Sequence, residues 1–199
     1  MRSGRRRRRS HTTPLILAAT IVVLGAGGPS LAAADRPEIR VDRASFADSE
    51  NGDFFSYVRI AVAVGELLHR FPEDFPQPPP IDIKIRAQNA AELTQLDESL
   101  SSAGCELIDG RAEVIVNLRV LTGTRALNDA ELRSLLGHEM RHAYQFAKGS
   151  PDGNSPDFWR REVEAFEWEL SHDDAAVRPW YRRETQQQLR LYYALLDHD

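Results

Sequence analysis

Apolar residues recur at helical spacing at Phe54, Val58, Ala61, Val62 and Leu68, which predicts a helix over residues 54–71. Five prolines within Pro72–Pro80 end it. Ile81–Arg86 (IDIKIR) alternates apolar and polar positions and reads as a half-buried strand. Residues 90–100 suit a second helix. Glu113–Val120 (EVIVNLRV) alternates with β-branched residues and predicts a second strand, with a turn before it at Asp109–Gly110. A longer helix is expected from Asn128 to Lys148. Asn128 caps it, Glu131 stands three residues on, and Gly149 and Pro151 stop it. Ser155 as cap, Pro156 in the first helical position and Asp157 in the first turn start another helix, running to about Ser171. A last helix over Trp180–Leu196 places Leu189, Tyr192, Tyr193 and Leu196 on its apolar side. Residues 35–52 are polar, show no period and are expected to be loosely ordered. The pattern predicts an α+β domain over residues 53–199, mostly helical with a two- to three-stranded sheet. No internal repeat is present.

The first 34 residues read differently. Arg5–Arg9 form a positive cluster, Leu15–Ala26 is an apolar run, Gly27, Gly28 and Pro29 break it, and Ser30–Ala34 (SLAAA) offers small residues. Charge, apolar stretch and small residues in that order predict an export signal. The run falls short of the roughly 20 apolar residues a membrane span needs. An uncleaved anchor is the alternative. Either way the body is expected outside the cytoplasm: secreted, periplasmic or attached to the cell envelope. Membrane contact is expected only through this segment.

Charge sharpens the picture. Six of the 25 basic residues lie in residues 1–34 and all 30 acidic ones lie beyond, so residues 35–199 carry 19 basic against 30 acidic groups, a net of −11. An acidic body argues against nucleic acid as a partner. The single cysteine, Cys105, excludes an intramolecular disulfide and a four-cysteine zinc site. It has no basic neighbour in sequence and reads as a small buried residue rather than a nucleophile.

One motif carries chemistry. Residues 138–142 are His-Glu-Met-Arg-His on the Asn128–Lys148 helix. Histidines at i and i+4 share one helix face, so both can reach one metal ion, and the intervening Glu139 can take a proton from the attacking water. On a helical wheel Leu132, Leu135, Leu136, Ala143 and Phe146 form one stripe. Glu139 falls inside it, with His138 and His142 on its flank. A carboxylate on a core-facing stripe is costly unless paired or bound. A catalytic zinc needs a third protein ligand. On the next helix the stripe is Trp159, Val163, Phe166 and Leu170, and Glu162 flanks it as the histidines flank theirs. Glu162 is therefore the expected third ligand. Glu169, two turns on, is a candidate to orient a ligand. Glu164, Glu169 and His172 remain alternative ligands. Two imidazoles and a carboxylate suit Zn²⁺, one per chain. His69 reads as a helix C-terminal dipole partner and Trp159, Trp168 and Trp180 as packing.

His138–His142 followed by Glu162–Ala165 (EVEA) resembles the gluzincin type of zinc metallopeptidase. The stretch HEMRHAYQ also resembles poorly characterised bacterial metallopeptidase-like domains. The resemblance covers about residues 81–170. It implies a small zincin-like fold, a peptide or protein substrate, and hydrolysis with Zn²⁺ polarising the water and the scissile carbonyl. Glu139 would be the general base. Many gluzincins have Asp or Asn directly after the Ala of this motif, or nearby; the position after Ala165 is Phe166 here. The partner orienting a histidine would then come from Glu167 or Glu169. Tyr144 and Tyr181, with Tyr192 and Arg141, are the candidates for stabilising an oxyanion. The strand at 113–118 would be the sheet edge that pairs with substrate. The alternative is a zinc-binding domain of weak or no activity with a structural or interaction role.

Overall fold

The structure is a computed structural model that describes residues 36–48, 54–88, 102–122, 124–149, 155–172 and 174–198. The export signal and the helix expected at 90–100 lie outside the described residues. Among the described residues no helix is long and apolar enough to cross a membrane.

Among the described residues four strands form one sheet: β1 (Ile39–Val41), β2 (Ile83–Ala87), β3 (Ala103–Ile108) and β4 (Arg111–Val116). Their order is β1-β2-β4-β3. The first two pairings are parallel and β3–β4 is antiparallel. The helices are α1 (Arg43–Asp48), α2 (Phe54–Arg70), α3 (Asp129–Gln145), α4 (Pro156–Ser171) and α5 (Pro179–Asp197). The α+β class with a mostly helical domain is therefore as expected, but the sheet has four strands rather than two or three.

The two missed strands have plain causes. β3 (AGCELI) sits at a sheet edge, carries Gly104 and Glu106, and lacks a clean alternation. Its turn was legible: Asp109 and Gly110 adopt φ of 50° and 79°, the double left-handed conformation of a two-residue hairpin. β1 and α1 fall in the segment expected to be loosely ordered. They are held by tertiary partners, with Arg40 in register with Lys84 and Phe46 fully buried in the core. β4 ends at Val116, short of the expected Val120, because the Asn117 side chain accepts from the Arg119 N–H (3.0 Å) and caps a short 3-10 turn over Leu118–Leu121.

One face of the sheet, built from Ile83, Ile85 and Ala87 of β2 and Ala112, Val114 and Val116 of β4, is buried. Its opposite face carries Glu113, clamped by Arg86 Nε (2.7 Å) and Arg111 Nε (3.0 Å). The helix α3 packs against α2, α4, β3 and β4 and so lies at the centre of the domain. Leu132, Leu136, Met140 and Ala143 of α3 are buried almost completely.

Two features fix α3. At its start Asn128 and Glu131 form a reciprocal capping box. The same Glu131 carboxylate, fully buried, accepts from the Arg178 guanidinium and from the Arg178 backbone N–H (3.0 Å) just before α5. Burial alone would raise the Glu131 pKa, but the Arg178 and Asn128 bonds outweigh it and hold the carboxyl below its usual range. At mid-helix, Gly137 faces the Trp168 ring of α4. A methyl group there would come within 2.1 Å of Trp168 Cζ3, too close for any side chain.

Two outcomes are expected. Gly137→Ala should lower stability by about 1–3 kcal/mol through overpacking against Trp168, measured by denaturant unfolding. A carboxyl with a depressed folded pKa contributes stability above its ordinary value of 4.5 and loses it as pH falls through the folded value. Wild type should therefore lose more stability than Glu131→Gln on acidification from pH 6 to pH 3, read from unfolding midpoints.

Candidate metal centre

His138, Glu139 and His142 project from α3 at spacings that place both imidazoles on one side of the helix. α4 lies alongside, with the fully buried Ala165 allowing close approach. Three ligand atoms of His138, His142 and Glu162 lie within 4.8 Å of one another. The His138 and His142 Nε2 atoms are 3.1 Å apart. Glu162 Oε1 is 3.3 Å from His142 Nε2, and Oε2 is 3.7 Å from His138 Nε2. A tetrahedral ion with ligand bonds of about 2.0–2.2 Å needs edges of roughly 3.3–3.6 Å, so the observed separations suit it. Imidazole and carboxylate donors fit Zn²⁺.

The other face of each imidazole also has a fixed partner. His142 Nδ1 lies 2.9 Å from Gln145 Oε1. The Gln145 amide is buried and donates to Glu164 Oε2 (3.1 Å) and the Arg161 carbonyl (3.3 Å), which orients its oxygen toward the histidine. His138 Nδ1 faces Glu169 Oε2 at 3.3 Å, slightly longer than a formed hydrogen bond. Glu169 Oε1 accepts from Ser134 Oγ (3.1 Å) and Thr185 Oγ1 (3.3 Å). Acceptors at both Nδ1 positions favour the tautomer that leaves both Nε2 lone pairs free for a metal.

The position after Ala165 is thus accounted for. Phe166 packs its ring 4.2 Å from the His138 ring, and Glu169, nearly one turn further on, supplies the carboxylate. Glu167 does not serve: it is exposed and accepts from the Tyr193 hydroxyl.

The electrostatics are those of a buried charge cluster. Burial opposes charging of His138, yet Glu162 and Glu169 raise its pKa to about 10. Burial opposes ionisation of Glu162 as well, but the two histidines pull it down to about 2. Glu139 is different. Burial pushes its pKa up, and the lowering by His138 and His142 does not cancel that. A carboxylate raised toward neutrality is a better proton acceptor.

The cluster opens into a cleft of about 1070 Å³. Ser102–Cys105 at the start of β3 line one part of it, and Tyr181, Thr185, Gln188 and Tyr192 of α5 another. The edge bordering the cleft is therefore β3. The expected edge strand at 113–118 is interior, with β2 and β3 on its two sides. Cys105 lies in this wall, half-buried rather than buried as expected, and desolvation, with Glu139 adding to it, raises its thiol far above the usual range.

The remaining candidates sort by position. Glu164 pairs with Arg141 and with Gln145, so it supports the site through Gln145 rather than joining the ligand atoms. His172 sits away from the cluster, stacked 4.7 Å from Trp168 and facing Asp74. Tyr144 donates to the Pro76 carbonyl (2.9 Å) and packs on Phe75, so it does not reach the cleft. Arg141 is held by Glu164 and Asp74. Tyr181 engages Glu169 and Ser134 behind His138. Tyr192 remains: its ring stacks 5.8 Å from Phe166, and burial together with Glu162 and Glu139 raises its phenol to about 12. Gln145 closes the HEMRHAYQ stretch, and its place three residues after His142, on the same helix face, is the sequence signal for its contact with that histidine.

No family model matches this chain, and no curated protein or solved structure matches it either.

Gln145→Ala and Glu169→Ala should each weaken zinc affinity by about 10- to 100-fold, measured by chelator competition. Glu164→Ala should weaken it less, because it acts one contact further out.

Proposed function

We propose that this chain is a zinc-dependent peptidase of gluzincin-like type, exported by its N-terminal segment, with His138, His142 and Glu162 as metal ligands and Glu139 as general base. The observation that carries the reading is the pair of imidazoles whose Nδ1 atoms face fixed acceptors while their Nε2 atoms converge with Glu162. A closed structural zinc site has four protein ligands. Among the described residues only these three gather, and they do so at an open cleft beside a buried base.

Zn²⁺ in this site would supply Lewis acidity toward a water and a scissile carbonyl. The chain's own residues do the rest. Glu139, buried and with a raised pKa, accepts the proton of the attacking water and passes it to the leaving amine. The edge of β3, which pairs with no further strand among the described residues, offers backbone groups to an extended peptide, which would hold the scissile bond over Glu139. Tyr192 from α5 is the phenol best placed to donate to the developing oxyanion. Its raised pKa keeps it protonated, and no hydrogen-bond partner of its hydroxyl occurs among the described residues. Gln145 and Glu169 hold the imidazoles in orientation.

Zinc content and peptide hydrolysis, measured on the same preparations, test this. His142→Ala and Glu162→Ala should lose zinc. Glu139→Gln should retain zinc and lose hydrolysis by at least about a hundredfold. Tyr192→Phe should retain zinc and lower kcat by about 10- to 100-fold, with a smaller change in KM. A fully active Glu139→Gln protein would overturn the mechanism. A zinc-loaded wild type that cleaves no peptide would leave the reading of a non-catalytic zinc domain.

A further inference from the structure

The cleft has a positively charged end that the proposed hydrolysis does not use. Of its buried acids, Glu162 belongs to the ligand cluster and Glu139 and Glu169 lie beside it. The cleft is also lined by Arg119 and Arg125. Ala103 of β3 lies beside Val116 of β4, and Asn117 N–H donates to the Ser102 carbonyl (3.0 Å). From there the chain turns directly into the segment that carries Arg119.

That segment is held at its base, and its Val120 and Leu121 pack against the core. Leu118 and Leu127 are buried. Leu127 N–H donates to the Val120 carbonyl (2.7 Å) and closes the loop. Arg178 Nη2 donates to the Ala126 carbonyl (2.6 Å), and Arg59 Nη2 to the Leu127 carbonyl (2.9 Å). Arg59, Arg86, Arg111, Arg133, Arg141 and Arg178 each hold a carboxylate. Among the described residues Arg119 and Arg125 hold none, although residues 35–199 carry a net charge of −11. The third arginine of the cleft, Arg161, is committed to the Gln145 and Gly149 carbonyls (3.3 and 2.6 Å).

We propose that Arg119 and Arg125 form a carboxylate-binding subsite, so that the preferred substrate is a peptide bearing a carboxylate on the C-terminal side of the bond to be cut. The proposal rests on the peptidase reading of the site. Direction follows from β3. A strand added antiparallel to it, the more stable pairing, runs toward Ala103, and its C-terminal part reaches the two arginines. A carboxylate placed at the cleavage point itself would instead meet the acidic cluster and be repelled. The cleft thereby selects register as well as charge. The carboxylate is either an acidic side chain or the free C-terminus, since a guanidinium pairs with both.

The test uses zinc-loaded full-chain protein and a competition digest read by mass spectrometry. The substrates are decapeptides identical except for glutamate or glutamine on the C-terminal side of the cut, each made with a free and an amidated C-terminus. Wild type should favour the carboxylate-bearing peptide by about fivefold in kcat/KM, the scale of a solvent-accessible ion pair, and the preference should shrink as salt is added. Whether it follows the glutamate or the free terminus identifies the source of the carboxylate. In Arg119→Gln/Arg125→Gln the ratio should fall to about one, and the lysine pair should restore part of it. Affinity of the same peptides for Glu139→Gln protein, read by fluorescence anisotropy, supplies a measure independent of turnover. Cleavage with no preference, in rate or affinity, overturns the subsite and leaves the peptidase. An affinity preference that the arginine variants abolish, with no cleavage by wild type, upholds the subsite and overturns the peptidase. Neither cleavage nor preference overturns both.

Discussion

Two imidazoles and three carboxylates cannot be buried together unless each charge meets a partner. The packing of α3, α4 and α5 is the way this chain meets that requirement. α3 contributes both histidines and Glu139, and α4 contributes Glu162 and Glu169. α5 contributes Thr185 and Tyr181, which hold Glu169. Removing one helix would strand charge on the other two. The core and the candidate centre are therefore one construction: Leu136, Met140 and Ala143 pack the same helix whose polar flank carries His138 and His142.

Positional accuracy in such a site comes from contacts outside it. Glu131 joins the start of α3 to Arg178 at the start of α5, so one buried carboxylate sets both helices. Gly137 lets Trp168 of α4 sit against the α3 backbone one residue before His138. Trp168 in turn packs 5.5 Å from Phe71 and 5.2 Å from Phe75, beyond the end of α2. A small residue at 137, one chosen for the absence of a side chain, thus fixes the distance between the helices that bear His138, His142 and Glu162.

The cleft has an asymmetry that complements this construction. Negative charge is concentrated and buried at its centre, where cations and partial positive charges are stabilised. Positive charge is exposed at one end, on a loop whose backbone is clamped. Exposed charges act through steering and register rather than large binding energies. The centre would set what reaction is possible, and the end would set which chain is positioned for it.

The local elements were largely legible from the chain. The helical periods, the Asn128–Glu131 capping box, the Ser155–Pro156 start and the Asp109–Gly110 turn are short-range chemistry, and each occurs where the pattern places it. So was the grouping of His138, His142 and Glu162, because ligand positions on two amphipathic helices can be read relative to their apolar stripes. Strand pairing was not legible. Whether β4 is an edge or an interior strand depends on Ala103–Ile108, which has no strong period of its own, and β1 exists only because β2 offers it an edge. The contact of Gln145 with His142 and the placement of Arg119 and Arg125 at the cleft were equally hidden. Side-chain type and spacing determine which helix face a residue occupies, but only the packing of distant segments decides what that face meets.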